Sequence, residues 1–201
     1  PDFADIGFER ALRRFPYVPN RPEQLDADCY EAFNIQIQGL ARRFQEIDRC
    51  HPFFLGFLGE RYGDPPVTLP RDLVAAHPWV AEDPGRSLLE LEILYAVLQD
   101  PERAPASFFY LRNPRFLQQV GDRYRVRFLP ESPRSAERLA VLKHRLHESG
   151  RPVLGGYSAV WSETLSRASR LDDFTARLLD DLWGAIEQEL RSPSPRRTND
   201  E

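Results

Sequence analysis

The residue most suited to chemistry in this chain is Glu92, in the stretch Ser87-Leu88-Leu89-Glu90-Leu91-Glu92-Ile93-Leu94-Tyr95-Ala96. Its neighbours at three and four residues are Leu88, Leu89, Tyr95 and Ala96. A carboxylate ringed by apolar side chains on its own helix is costly to bury without a partner, and such groups are candidates for a perturbed pKa and for function. Glu90 is two residues away, and at about 100° per residue the two carboxylates point roughly 200° apart and do not share a pocket. Ser87 followed by Glu90 has the form of a capping box, which gives Glu90 a structural role at the helix start. Glu92 then either acts in a site or pairs with Arg61 or Arg112 across the strand ends. In the second case its removal costs about 3 to 5 kcal/mol, as for a broken buried pair.

The elements that must position these groups are two uncharged runs. Phe53 to Gly59 carries no charge and no alternation, as a strand buried on both faces of a parallel sheet does, and Ser107 to Leu111 reads the same way. Glu60, Arg61 and Tyr62 leave the first run, with Gly63 turning the chain, while Arg112 and Asn113 leave the second. The expectation is a parallel sheet with Phe53 to Leu58 central and Phe108 to Leu111 beside it. The carboxyl ends of both strands then line one crevice, where open α/β sheets hold ligands, and Glu92 faces it from the adjacent helix. The pocket candidates are Glu60, Arg61, Tyr62, Ser87, Arg112 and Asn113, with Glu92 as the catalytic candidate.

Around this frame the chain divides into an irregular segment over 1–28, an α/β domain over 29–190 and a disordered tail over 191–201. Phe33, Ile35 and Ile37 alternate as in a strand, whereas Ile37, Leu40, Phe44 and Ile47 make a helical stripe; a helix over 38–50 is favoured. Residues 65–84 are proline-spaced and show no clear period, and Tyr124, Val126 and Phe128 alternate weakly, as in a short strand. Ser135 to His147 is an amphipathic helix with Leu139, Leu142 and Leu146 on one stripe, and Val153-Leu154 follows as a further strand. Ser169 caps a final helix whose apolar positions are Leu171, Phe174, Leu178, Leu182, Ile186 and Leu190. The alternation of helices and buried strands is that of an α/β sheet with helices on both faces, its opening strand missing or altered.

Composition narrows the partners. The 201 residues suit one large domain, and a net charge of −4 gives no electrostatic reason to expect nucleic acid or a membrane surface. No apolar run reaches membrane-span length, and the expected compartment is cytoplasmic. Cys29 and Cys50 lack ligand spacing and read as packing thiols; His144 and His147, three apart, lack a third ligand, so no metal site is expected. The chain has no methionine, which points to a fragment or a processed piece, and Lys143 is the one lysine among 27 basic residues.

Four blocks in order carry a resemblance: Glu46 to Cys50 with Phe53 to Gly63; Arg86-Ser87 with Glu90-Leu91-Glu92; Phe108 to Asn113; and Asp173-Phe174 with Asp181 to Ile186. Over roughly 38–190 the chain resembles the TIR-like domains that stand ahead of the NACHT ATPase in large signalling proteins of the STAND type, which end in WD or TPR repeats. The resemblance implies a flavodoxin-like, TIR-like parallel sheet and the nucleoside-deoxyribosyltransferase type of site. In such relatives a glutamate at the position of Glu92, five after Ser87 and four before Ala96, attacks or stabilises C1′ of a ribosyl group. A carboxylate facing an oxocarbenium-like centre is what N-glycosidic cleavage requires. Leu89 stands where the family has threonine and Asp64 where it has tryptophan, and the opening strand with its Ser-Ser-Thr-Phe turn is not recognisable. Two functions follow: a regulatory module that binds protein partners or itself, with no cofactor, or a nucleotide N-glycosidase acting on NAD or another nucleotide through Glu92.

Overall fold

The computed structural model describes residues 39–66 and 69–194. The irregular segment expected over 1–28, the alternation at 33–37, Cys29 and the tail beyond residue 194 lie outside the described residues. A first helix, α1, runs over 39–49, and its Leu40, Phe44 and Ile47 are buried, as their four-and-three spacing requires. Strand β1 (Phe53–Leu58) follows, then helix α2 (Arg71–Ala76) and a short 3-10 turn, Pro78–Ala81. The segment expected to lack periodicity is therefore partly helical. It buries Leu73 and Val80, one in each of two short elements broken at His77-Pro78, so neither element is long enough to show a period.

Helix α3 (Leu88–Ile93) opens on Ser87, whose side chain accepts from the Glu90 amide at 3.2 Å, and continues into a π-helical turn, Leu94–Leu98. Strand β2 (Ala106–Arg112) leads to a 3-10 turn, Pro114–Gln118, and to a short helix α4 (Asp122–Arg125). Residues 124 to 128, expected as a strand, instead lie in and just after α4. Tyr124 and Phe128 are four apart and both contact Trp161, which serves helical spacing rather than alternation. Helix α5 (Pro133–Glu148) buries Leu139, Leu142 and Leu146, the stripe its sequence displays.

Strand β3 (Val153–Tyr157), the hairpin pair β4 (Val160–Ser162) and β5 (Arg167–Ser169), and the twenty-residue helix α6 (Asp172–Arg191) complete the order. Ser169 does not cap α6. Its hydroxyl donates to the Val160 carbonyl at 2.9 Å, closing the hairpin, while Leu171 occupies the capping position.

The main sheet has the order β1-β2-β3, and both pairings are parallel. The connections run through α2 and α3 and then through α5, as parallel pairs demand. This is a flavodoxin-like α/β fold. One face of the sheet meets α1, α3 and α5 in a cluster that includes Leu58, Phe109, Leu91, Ile93 and Leu142. The other face presents Phe57, Tyr110 and Tyr157 to Phe174 of α6.

The middle strand among the described residues is β2, not β1 as the sequence suggests. Phe57 on β1 is 49% exposed. An uncharged run does not fix a strand's place in the sheet: among the described residues β1 is paired on one side only, and its Phe57 stacks on Tyr110 with centroids 5.6 Å apart. No helix among the described residues is long and apolar enough to cross a membrane.

Candidate functional site

Because β1 and β2 run parallel, Glu60 to Gly63 and Arg112 emerge at the same end of the sheet, as their spacing predicts. The groups that meet there engage one another. Glu60 forms an ion pair with Arg112, both side chains only 13% exposed, and the Arg112 guanidinium lies 4.6 Å from the Phe116 ring centre and 5.1 Å from that of Phe128. Gly59 permits this approach, since a Cβ there would stand 2.6 Å from Arg112 Nη2. Lys143, on α5, donates to the Gly59 carbonyl at 2.6 Å, and burial pulls its ammonium below the usual lysine range.

Arg61 turns the other way. Its Nε donates to Glu131 Oε1 at 2.6 Å, and the same carboxylate accepts from the Tyr62 amide at 3.3 Å and the Gly63 amide at 3.2 Å. Burial pushes the Glu131 carboxyl up, but the Arg61 guanidinium, with Glu131's own amide and that of Gly63, outweighs it and holds the group below its ordinary value. Gly63 has φ +88°, the conformation that lets consecutive amides converge on one acceptor.

Tyr62 is buried and donates its hydroxyl to the Glu90 carboxylate, while accepting from the Ser87 amide at 3.2 Å. The capping box is thus closed through a phenol: Glu90 reaches the Ser87 amide by way of Tyr62 rather than directly. Burial, then the neighbouring Glu90, push the phenol above its usual range. Arg145 stands 3.7 Å from Glu90 Oε1, and Arg138 binds Asp83 through two bonds of 2.9 and 3.1 Å beside them.

Of the candidate residues, the structure gathers Glu60 with Arg112, and Tyr62 with Ser87. Asn113 goes elsewhere: its side chain accepts from the Arg115 amide at 3.0 Å and opens the following 3-10 turn. Glu92 also departs from expectation. It faces α1, where it pairs with Arg43, and meets neither Arg61 nor Arg112. The two glutamates do point to opposite sides of α3, Glu90 toward the strand ends and Glu92 toward α1. Ser87 fixes the start of α3 and Tyr62 captures Glu90 there, so the opposite side of α3, with Glu92, turns to α1. Burial raises the Glu92 carboxyl above its ordinary value, and the Arg43 charge offsets this only in part.

Sequence reasoning misses Glu131, Arg145, Arg43, Asp83 and Arg138. The solitary Lys143 is noticed there, but not its place under β1. Glu131, Asp83 and Arg43 carry no periodic signal, since their roles arise from contacts across 70, 55 and 49 residues of chain.

The fold and these strand ends define an α/β domain with a parallel sheet whose terminal polar side chains pair with one another, although Glu60 Oε1 and Arg112 Nε are buried without a hydrogen-bond partner among the described residues. Over 169 residues, 76% of this chain, it is 30% identical to telomerase protein component 1 of Mus musculus. It is 31% identical over 127 residues to a TPR repeat-containing protein of Dictyostelium discoideum. A shorter stretch of 48 residues, 24% of the chain, is 50% identical to the glutamine-dependent NAD(+) synthetase of Mycobacterium bovis. The chain spans 6%, 8% and 7% of these relatives respectively. No family model matches the chain, and no solved structure matches it.

Proposed function

We propose that the chain is a TIR-like regulatory and protein-interaction module of a larger NACHT-type ATPase assembly protein of the telomerase-associated kind. The observation that carries this reading is the state of the strand ends. Where an α/β enzyme of this topology presents free polar groups to a ligand, Glu60, Arg112, Arg61, Glu131, Tyr62 and Glu90 are engaged with one another. Similarity to a small part of long proteins, one of them a TPR repeat protein, supports the same reading. Such a module binds protein partners or itself and requires no cofactor.

A second reading retains N-glycosidase chemistry with Glu92 as the acting carboxylate. One observation bears on it: burial holds Glu92 above the ordinary carboxylate range, which suits a proton donor to the leaving group rather than the ionised carboxylate that the resemblance implies. The stretch similar to an NAD(+) synthetase makes NAD the nucleotide to try first. The experiment is nicotinamide release from NAD by the purified chain and by Glu92→Gln, followed by chromatography. The module reading expects no release from either. Release by the parent chain that falls by about 10² to 10⁴ in the variant would establish the second reading instead.

A further inference from the structure

Helix α6 carries more apolar surface than the sheet covers. Its inner side, with Phe174, packs on Tyr157 at a centroid distance of 4.1 Å, and Asp181 accepts from the Tyr110 hydroxyl at 3.1 Å. On its outer side Leu179, Trp183 and Leu190 are 57%, 63% and 78% exposed, with half-buried Ile186 between them. The spacing of four, three and four residues places these on one stripe three turns long, the seam on which a second helix packs.

The charge around the stripe selects the partner. Six acids and two arginines leave α6 at −4, which equals the net charge of the whole chain. Both arginines are held on the helix itself, Arg177 by Asp181 at 2.9 Å and Arg191 by Glu187 at 3.1 Å. Asp172 and Asp173 have no cationic partner among the described residues, and Asp180 neighbours only the Arg177 that Asp181 already holds. A second copy of α6 would bring two such acidic helices together, which like-charge repulsion opposes.

We propose that the outer face of α6 docks a basic amphipathic helix of a partner protein, its apolar side on Leu179, Trp183 and Leu190 and its arginines or lysines toward Asp172, Asp173 and Asp180. The proposal rests on the module reading and gives that module its docking face. The mode is that of a helix laid on an apolar seam, with charge setting partner choice.

The test is fluorescence anisotropy of a labelled peptide of about 18 residues, five helical turns, with leucines at three-and-four spacing and arginines elsewhere, titrated with the full chain. A peptide with glutamate for every arginine is the control. The arginine peptide binds saturably and more weakly as salt rises, and Leu179→Ser or Trp183→Ser weakens it by about tenfold or more. The triple variant Asp172→Asn, Asp173→Asn, Asp180→Asn weakens it and flattens the salt dependence. Thermal unfolding of each variant shows that the fold is kept, because the substituted groups are exposed. Equal binding of the two peptides, no binding, or binding unchanged in Trp183→Ser would overturn the proposal. So would sedimentation showing that the free chain is a dimer dissolved by Trp183→Ser. Nicotinamide release in the same preparation tests the module reading separately, since that reading survives a failed peptide titration and fails only if NAD is cleaved.

Discussion

The carboxyl end of the sheet and the outer face of α6 stand at opposite extremes of how side chains find partners. At the strand ends Glu60, Arg61, Tyr62, Glu90, Arg112 and Glu131 are charged or polar groups at a place built for ligands, and each is taken by another protein group. On α6, Leu179, Trp183 and Leu190 are apolar groups left in water. An α/β sheet offers a ligand site at its strand ends only when the polar groups delivered there remain unpaired, and a packed helix offers a docking site only when its apolar arc is wider than the sheet beneath it. Here every strand-end side chain has a protein partner and only single atoms, Glu60 Oε1 and Arg112 Nε, keep no hydrogen bond, whereas the apolar arc of α6 is wider than the sheet beneath it.

The largest effect that would break this comparison lies at the strand ends. Glu60→Ala leaves the Arg112 guanidinium buried against Phe116 and Phe128 without its counter-charge, and urea unfolding should show a loss of about 3 to 5 kcal/mol. Replacing both partners with leucine should recover most of it; a single variant that costs nothing would mean that the pair is open to water and the strand ends are free for a ligand. Next in size is Tyr62→Phe, which removes the bond to Glu90 and the acceptor for the Ser87 amide; a loss of about 1 to 3 kcal/mol is expected from the buried groups left unpaired.

A smaller effect is read by pH. Burial among Phe44, Trp79 and Tyr95, with Arg103 nearby, pulls His77 below its ordinary value. The folded chain therefore binds fewer protons there than the unfolded chain, so this contribution is complete above about pH 6.5 and is lost as pH falls toward the folded value. His77→Phe should flatten the loss of stability on acidification. Glu92 has the opposite sign. Its raised carboxyl favours the folded state when protonated, and the contribution declines as pH rises from the ordinary carboxylate value to the folded one. With Arg43 45% exposed and able to return to water, Glu92→Gln should change stability at neutral pH by no more than about 1 kcal/mol, well short of the 3 to 5 expected for a buried pair.

The smallest effect belongs to the other half of the comparison. Leu179→Ser touches no core contact and should shift stability by about 0.5 kcal/mol or less. A large loss there would show that the outer face of α6 is already covered, and the contrast with the strand ends would vanish.

Much of this was legible in the residues themselves. Phe53 to Leu58 and Phe108 to Leu111 are strands in parallel register because uncharged aromatic runs followed at once by polar turns have few alternatives, and Leu139, Leu142 and Leu146 mark α5 by period. The order of the described strands was not legible, since nothing in Phe53 to Leu58 says which strand lies beside it. At the site, the parallel strands brought Glu60 and Arg112 together as their positions foretold. Glu90 keeps the place at the helix start that its capping box gives it, but its bond to Tyr62, 28 residues earlier, and the pairing of Glu92 with Arg43, 49 residues earlier, are not announced locally. Those contacts are made by the folded packing of α1, α3 and β1, which a single-residue pattern does not encode.

The closed strand ends are the central claim, and the most direct measurement is an amide NMR titration of the chain with NAD, following Glu60, Arg61, Gly63, Ser87 and Arg112. The account predicts that these resonances stay where they are at millimolar nucleotide while the fold remains intact. Saturating shifts confined to these amides, with release of Arg112 from Glu60, would contradict it and make the strand ends a nucleotide site.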